Sequence, residues 1–275
     1  MQCSLKWLNR YLEPGNVGPD EAEAVLMGLG FPIESRTEQG GDWLLDVEVT
    51  SNRGDCLSHL GLAREVAAKT GRKLRSPLLG LNEPAARPPA GFTLENKAPD
   101  ACPRFTARVI RGVKVGPSPA WLREALEATG QRSISNVVDV TNFLCHETGN
   151  PCHVFDLAKL GGASLVVRVA HKGETLTTLD GKARTLAGDE IVVADATRAQ
   201  SLAGVIGGAD SEVGPGTTDI VLEVATWDPV AVRRASRRHQ VRTDASHRFE
   251  RLVDAGTLAT ASARAAAMIV EVAGG

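Results

Sequence analysis

Between Ser76 and Gly91 the chain carries Pro77, Pro84, Pro88 and Pro89 among small residues, and Pro103 closes the region. Proline fixes φ at about −65° and removes a backbone donor, so such a run supports neither a helix interior nor a central strand. It reads as a linker of restricted flexibility. The 275 residues therefore divide into a module of residues 1–80 and a larger domain of residues 81–275.

Within the first part, short helices are expected over Leu5–Leu12 and Pro19–Gly30. Pro19 with Asp20, Glu21 and Glu23 suits the start of the second, and Gly28 and Gly30 its end. Trp43–Val49 reads as a strand. The turn-rich Thr50-Ser51-Asn52-Arg53-Gly54-Asp55 follows, then an apolar-periodic helix over Leu57–Lys69 closed by Gly71. In the second part, β-rich runs (Phe105–Val113, Ser164–Ala170, Glu190–Ala194, Asp219–Val224) alternate with helices near Ala120–Thr129, Val137–Glu147 and Pro229–Arg238. An alanine-rich helix over Gly256–Val272 ends at Gly274 and Gly275. The expected fold class of this second part is α+β.

Composition narrows function mainly by exclusion. With 31 basic and 33 acidic residues, bulk charge selects no partner. No apolar run approaches the ~18 residues of a membrane span, and the N-terminus lacks the build of a secretory signal, so a cytoplasmic location is expected. Cys3, Cys56, Cys102, Cys145 and Cys152 are scattered and form no C-x-x-C pair, which suits a reducing compartment. The close set Cys145, His146, Cys152 and His153 matches no usual zinc spacing, so no metal site is expected. No P-loop, G-x-G-x-x-G, G-x-S-x-G or H-E-x-x-H motif occurs.

Chemistry concentrates in four places. Arg233 to Arg251 (RRASRRHQVRTDASHRFER) holds seven arginines against Asp244 and Glu250. Arginine favours bidentate phosphate contacts, so nucleic acid is one reading, and a solvated helix face with internal ion pairs is the other. Phe249 is the single aromatic residue inside it, too few for a single-strand stacking platform. Gly149-Asn150-Pro151-Cys152-His153-Val154-Phe155-Asp156 reads as a turn presenting His153, which on spacing alone is equally a capping or core-edge histidine. Gly204-Val205-Ile206-Gly207-Gly208 lets backbone approach a ligand closely. Glu223 ends the apolar run Ile220-Val221-Leu222, where it must face solvent or a pocket.

Thr50–Ala68 (TSNRGDCLSHLGLAREVAA), Arg132-Ser133-Ile134, Val137–Phe143 (VVDVTNF), Gly149–Asp156 (GNPCHVFD), Leu179-Asp180-Gly181, Gly204–Gly208 and Thr243–Arg251 (TDASHRFER) resemble, in order, the β subunit family of bacterial phenylalanyl-tRNA synthetases. The resemblance implies an N-terminal α+β module of DNA-binding fold type, followed by an α+β editing domain. Here Glu38-Gln39-Gly40-Gly41 stands where the family inserts an oligonucleotide-binding module, so that tRNA contact is not expected. Family modules beyond the position of Gly275 carry the contacts to the catalytic subunit and the magnesium site. Aminoacylation and its ATP and magnesium sites are accordingly expected outside this segment, with no cofactor inside it.

The implied activity is hydrolysis of mischarged tyrosyl-tRNA(Phe). An apolar phenylalanine pocket rejects an isostere that adds a hydroxyl by only about 10²-fold, so a second, phenol-reading site is physically needed. By resemblance, Glu223 reads the phenol, while Gly207 and Ala245 keep the pocket open. His153, Arg132 and Thr243 surround the ester and terminal adenosine, with Asn142 a lesser member. An aminoacyl ester is labile, so positioning a water and stabilising an oxyanion suffices. His153 would orient water or a ribose hydroxyl, and backbone N–H groups near Gly207 and Gly208 would hold the oxyanion. Arg233, Arg234, Arg237, Arg238 and Arg242 are the expected tRNA contacts, with tRNA(Phe) and the synthetase α subunit as partners. The competing function is a tRNA-binding or assembly module without turnover. A DNA-binding role is not expected, because residues 1–80 mix acids and bases without a basic recognition helix.

Overall fold

The strand Asp219–Thr226 organises the molecule, and its sequence explains why. Side chains along a strand alternate between faces, and in DIVLEVAT both faces are apolar between the end residues except at Glu223. Ile220, Leu222 and Val224 enter one hydrophobic core, whereas Val221 and Ala225 enter another. A strand buried on both faces belongs at the centre of a sheet. It pairs antiparallel with Arg104–Arg111 on one side and Cys152–Asp156 on the other. The structure, a computed structural model, describes residues 1–79, 81 and 89–275. The expected boundary near residue 80, with Pro84 and Pro88, lies outside the described residues.

The first core joins side chains from both sides of the proline run. Trp7, Leu8, Leu26, Leu45 and Leu62 pack with Phe143 and Leu144 of the helix Asn136–Thr148 and with Leu258, Met268 and Ile269 of the helix Leu258–Ala273. Trp7 is stacked between His59 and Phe143, with ring centroids 4.0 and 4.4 Å away. Its indole N–H donates to the Tyr11 hydroxyl at 2.7 Å, and that hydroxyl donates to Glu147 at 2.9 Å. The second core lies on the other face of the central sheet, under a five-stranded sheet in the order Ile206–Gly207, Ala199–Leu202, Ile191–Ala194, Ser164–Val169, Thr93–Asn96. Its last pair is parallel and the others antiparallel. The architecture is α+β, as expected.

Where local signals are strong, elements fall close to their expected limits. The helix His59–Thr70 starts where the Ser58 hydroxyl accepts from the Gly61 N–H and stops at Gly71, φ +71°. Two readings are corrected and one strand is added. The first helix covers only Leu5–Asn9, because Leu12–Glu13 pairs instead with Lys73–Leu74. The polar Ile33–Gln39, unread as structure, pairs with Asp42–Val47 across Gly40 and Gly41, both at positive φ as a two-residue hairpin turn requires. The segment expected as a turn around His153 is a strand, Cys152–Asp156, since the central strand supplies hydrogen-bond partners that no local pattern announces.

Candidate active site

Glu223 stands on the second face of the central strand, between Val221 and Ala225, and the residue registered opposite it on the neighbouring strand is His153. Both side chains border a cavity of about 300 Å³. Its other walls are the Gly204–Gly207 segment, Asn142 of the helix Asn136–Thr148, and Thr243, Asp244 and Ala245 at the start of the helix Asp244–Phe249. Two glycines are sterically required there. A Cβ on Gly207 would lie 2.7 Å from His153 Nε2, and one on Gly204, at φ +67°, would lie 2.8 Å from the Trp227 ring.

Burial sets the electrostatics. Burial lowers the His153 imidazole to about 4 and raises the Glu223 carboxyl to about 8, so both are uncharged at neutral pH. His153 Nε2 and Glu223 Oε2 are buried without a hydrogen-bond partner. Unsatisfied buried polar atoms cost about 1–3 kcal/mol each, so two on facing residues of one cavity make it the strongest candidate site among the described residues. Asp244 differs. Burial pushes its carboxyl up, but Arg248, His146 and Gln131 outweigh that and hold it below its ordinary value. The cavity therefore has uncharged groups at its floor and, at one wall, the Asp244 carboxylate paired with Arg248.

Of the residues singled out from sequence, His153, Glu223, Gly207, Thr243, Ala245 and Asn142 are brought together. Thr243 is nonetheless committed to structure. Its hydroxyl donates to the Val205 carbonyl at 2.7 Å and accepts from the Ser246 N–H at 3.0 Å, capping the helix. The Gly208 N–H donates to the Gln200 carbonyl at 2.8 Å, which takes it away from an oxyanion role. Arg132 is exposed and stands outside the lining, although the neighbouring Gln131 reaches Asp244 at 3.2 Å. Asp244, Leu179, Trp227 and Phe249 line the cavity without having been singled out for it. Leu179 lies in the hairpin between Thr175–Thr177 and Ala183–Thr185, and only folding sets that turn beside Gly207, whose carbonyl accepts from the Leu179 N–H at 3.0 Å.

The arginine-rich stretch divides by packing. The helix Pro229–His239 carries Arg233, Arg234, Arg237 and Arg238 on its exposed side. Arg238 is taken up by Asp189 and Glu190, and Arg233 stands 3.8 Å from Glu250. Arg248 is buried, paired with Asp244 at 2.8 Å and donating to the Leu57 carbonyl at 3.0 Å. Exposed Arg242 reaches His247 Nδ1 at 2.8 Å. Arg234, Arg237 and Arg242 thus present the most available charge. Elsewhere, Asp55, Cys56 and Glu65 converge at metal-binding distance, but the Arg53 guanidinium fills that space, 2.9 Å from both Cys56 Sγ and Glu65.

A family model described as the B3/4 domain matches residues 101–274. The whole chain is 46% identical over 275 residues to the phenylalanine–tRNA ligase beta subunit of Rhodopirellula baltica, of which the match covers 40%. It is 51% identical over 234 residues to the same subunit from Anaeromyxobacter dehalogenans, covering 85% of this chain and 29% of that protein. A solved N-terminal fragment of the phenylalanyl-tRNA synthetase beta-subunit from Pyrococcus horikoshii superposes with a TM-score of 0.45 at 14% identity, over 87% of this chain and 73% of that one. The chain spans less than half the length of these curated relatives. With that domain matched across most of its length and a cavity built from its strands and helices, the chain belongs to the B3/4 domain family, in the form found in bacterial phenylalanine–tRNA ligase beta subunits.

Proposed function

We propose that this chain hydrolyses the ester of tyrosyl-tRNA(Phe), acting as the proofreading region of a phenylalanine–tRNA ligase β subunit. The observation that carries the reading is the facing pair of unpartnered buried atoms, His153 Nε2 and Glu223 Oε2, in a cavity of about 300 Å³. A neutral Glu223 carboxyl both donates to and accepts from a phenol. Phenylalanine would enter with nothing to offer it and leave those atoms desolvated, the situation in which discrimination reaches about 10⁴–10⁵. Water attacks the ester carbonyl, the bond to the ribose oxygen breaks, and the water's proton ends on that oxygen. Neutral His153 is suited to orient the water or to relay this proton. Thr243 acts by holding the Val205 turn and the helix together rather than as a reacting group.

The reading uses no ATP or magnesium within this chain. It places the protein in the cytoplasm with tRNA(Phe), beside the ligase α subunit. No helix among the described residues is long and apolar enough to cross a membrane. Arg234, Arg237 and Arg242 would carry phosphate contacts. The test is deacylation of tyrosyl-tRNA(Phe) and phenylalanyl-tRNA(Phe) by the purified chain and its Glu223→Ala variant. Tyrosyl-selective hydrolysis that the substitution reduces at least tenfold is expected. Retained tRNA binding without hydrolysis by the folded chain would leave a binding or assembly module in its place.

A further inference from the structure

An aminoacyl ester carries a free α-ammonium as well as a side chain, and a hydrolase that cleaves it must either bind that cation or ignore it. In the hydrolytic reading the phenol occupies Glu223 and the facing His153 serves the ester, so a partner for the ammonium has to stand elsewhere on the lining. Glu223 and Asp244 are the carboxylates among the described lining residues, and they stand on different elements, the central strand and the helix Asp244–Phe249.

The two oxygens of Asp244 have different surroundings. Oδ1 accepts from Arg248 Nη1 at 2.8 Å. Oδ2 accepts from Gln131 Nε2 at 3.2 Å and lies 3.9 Å from His146 Nε2. A carboxylate oxygen has room for two donors, so Oδ2 retains acceptor capacity. The buried Arg248 holds the carboxylate in place from behind, tied in turn to the Leu57 carbonyl at 3.0 Å. His146, buried and lowered to about 4 chiefly by burial, adds no positive charge at neutral pH. The Asp244 side chain is 50% exposed and borders the cavity.

We infer that Asp244 Oδ2 is the anchor for the substrate's α-ammonium, making the site selective for aminoacyl esters with a free amine over N-acylated ones. This rests on the hydrolytic reading above and extends it from the phenol to the other end of the amino acid. Gln131 is the positioning residue for Oδ2, and Arg248 for Oδ1.

The test separates this inference from the reading it rests on. First, affinities of the chain for 3′-deoxy-3′-(L-tyrosyl)aminoadenosine and its N-acetyl form are measured by calorimetry. This amide analogue cannot be turned over as an ester and reports on recognition alone. The wild type should prefer the free amine by about tenfold, the scale of one charge-assisted hydrogen bond at a half-exposed site. In Asp244→Asn, which keeps one acceptor oxygen for Arg248 and replaces Oδ2 by an NH2 donor that the Gln131 amide can meet with its own oxygen, the charge is removed and that preference should fall to within about twofold. Equal affinity of the wild type for the two analogues overturns the inference, as does an undiminished preference in Asp244→Asn. Second, deacylation of tyrosyl-tRNA(Phe) and N-acetyl-tyrosyl-tRNA(Phe) is compared. Absence of hydrolysis by the wild type defeats the hydrolytic reading, while the binding ratio still decides the role of Asp244. A loss of both rates by the same factor in Asp244→Asn would assign that residue to folding through Arg248 and likewise overturn the inference.

Discussion

At the scale of single residues, the pair Glu223 and His153 makes stability depend on pH in opposite directions. The Glu223 carboxyl is raised by burial to about 8, so the folded state holds a proton that the unfolded chain releases near 4.5. Its contribution is present below that lower value and is lost as pH rises towards 8. His153 is lowered to about 4 from 6.5, so its contribution is present above 6.5 and is lost as pH falls towards 4. Glu223→Gln keeps the shape and cannot ionise. Thermal unfolding should therefore show this variant gaining ~1–3 kcal/mol over the wild type between pH 5 and pH 9. A constant difference across that range would mean that Glu223 is charged in the fold. Gly207 supplies a second prediction. Because an added Cβ would lie 2.7 Å from His153 Nε2, Gly207→Ala should displace the ring and abolish binding of the tyrosyl analogue while costing only ~1–3 kcal/mol in a melt. Unchanged analogue affinity would place the ligand elsewhere.

At the scale of elements, the six-residue helix Asp244–Phe249 is too short to persist alone and is held by three ties. Thr243 caps it and reaches Val205, and Arg248 joins it to Leu57. Thr243→Ala should cost ~1–2 kcal/mol by chemical denaturation, and Thr243→Ser should restore most of it, because the hydroxyl rather than the methyl makes both bonds. A hydrolytic defect that persists in Thr243→Ser would contradict a purely structural role. The helix Pro229–His239 makes a different case, since its arginines divide into paired and available ones. Reversal of charge at Arg234 and Arg237 should weaken tRNA binding and reduce the slope of log affinity against log salt by about 1 per residue. Reversal at Arg238, held by Asp189 and Glu190, should chiefly lower stability. Equal effects of the three on binding would mean that ion pairing does not govern their availability.

At the scale of the molecule, the first core spans the proline run, so residues on its two sides should not unfold independently. Trp7 lies between His59 and Phe143, and Tyr11 meets Glu147, which Arg264 approaches at 3.2 Å from the last helix. Heating should give a single transition, coincident by near-ultraviolet dichroism and by calorimetry. Trp7→Ala, which removes a nearly fully buried ring, should lower stability by ~3–5 kcal/mol without splitting that transition. Two separated transitions in the wild type would show that the shared core does not couple the two parts.

Much of this molecule was legible along the chain. Periodicity, caps and glycine stops located most helices to within a few residues, because those signals act over a few neighbouring residues, whereas His153, Gly207, Glu223 and Thr243 were gathered into one candidate site by the family resemblance. The exposed strand Ile33–Gln39 escaped, since a polar strand that gains its hydrogen bonds from a partner carries no hydrophobic pattern of its own. So did the strand Cys152–Asp156, whose pairing with Asp219–Thr226 is non-local. Which groups face one another, which are neutral and which are already spent depend on register and burial. Those follow from how distant segments pack. Only the tertiary structure could therefore set His153 opposite Glu223, commit Thr243 to Val205, remove Arg248 from the basic surface and leave Asp244 at the cavity wall.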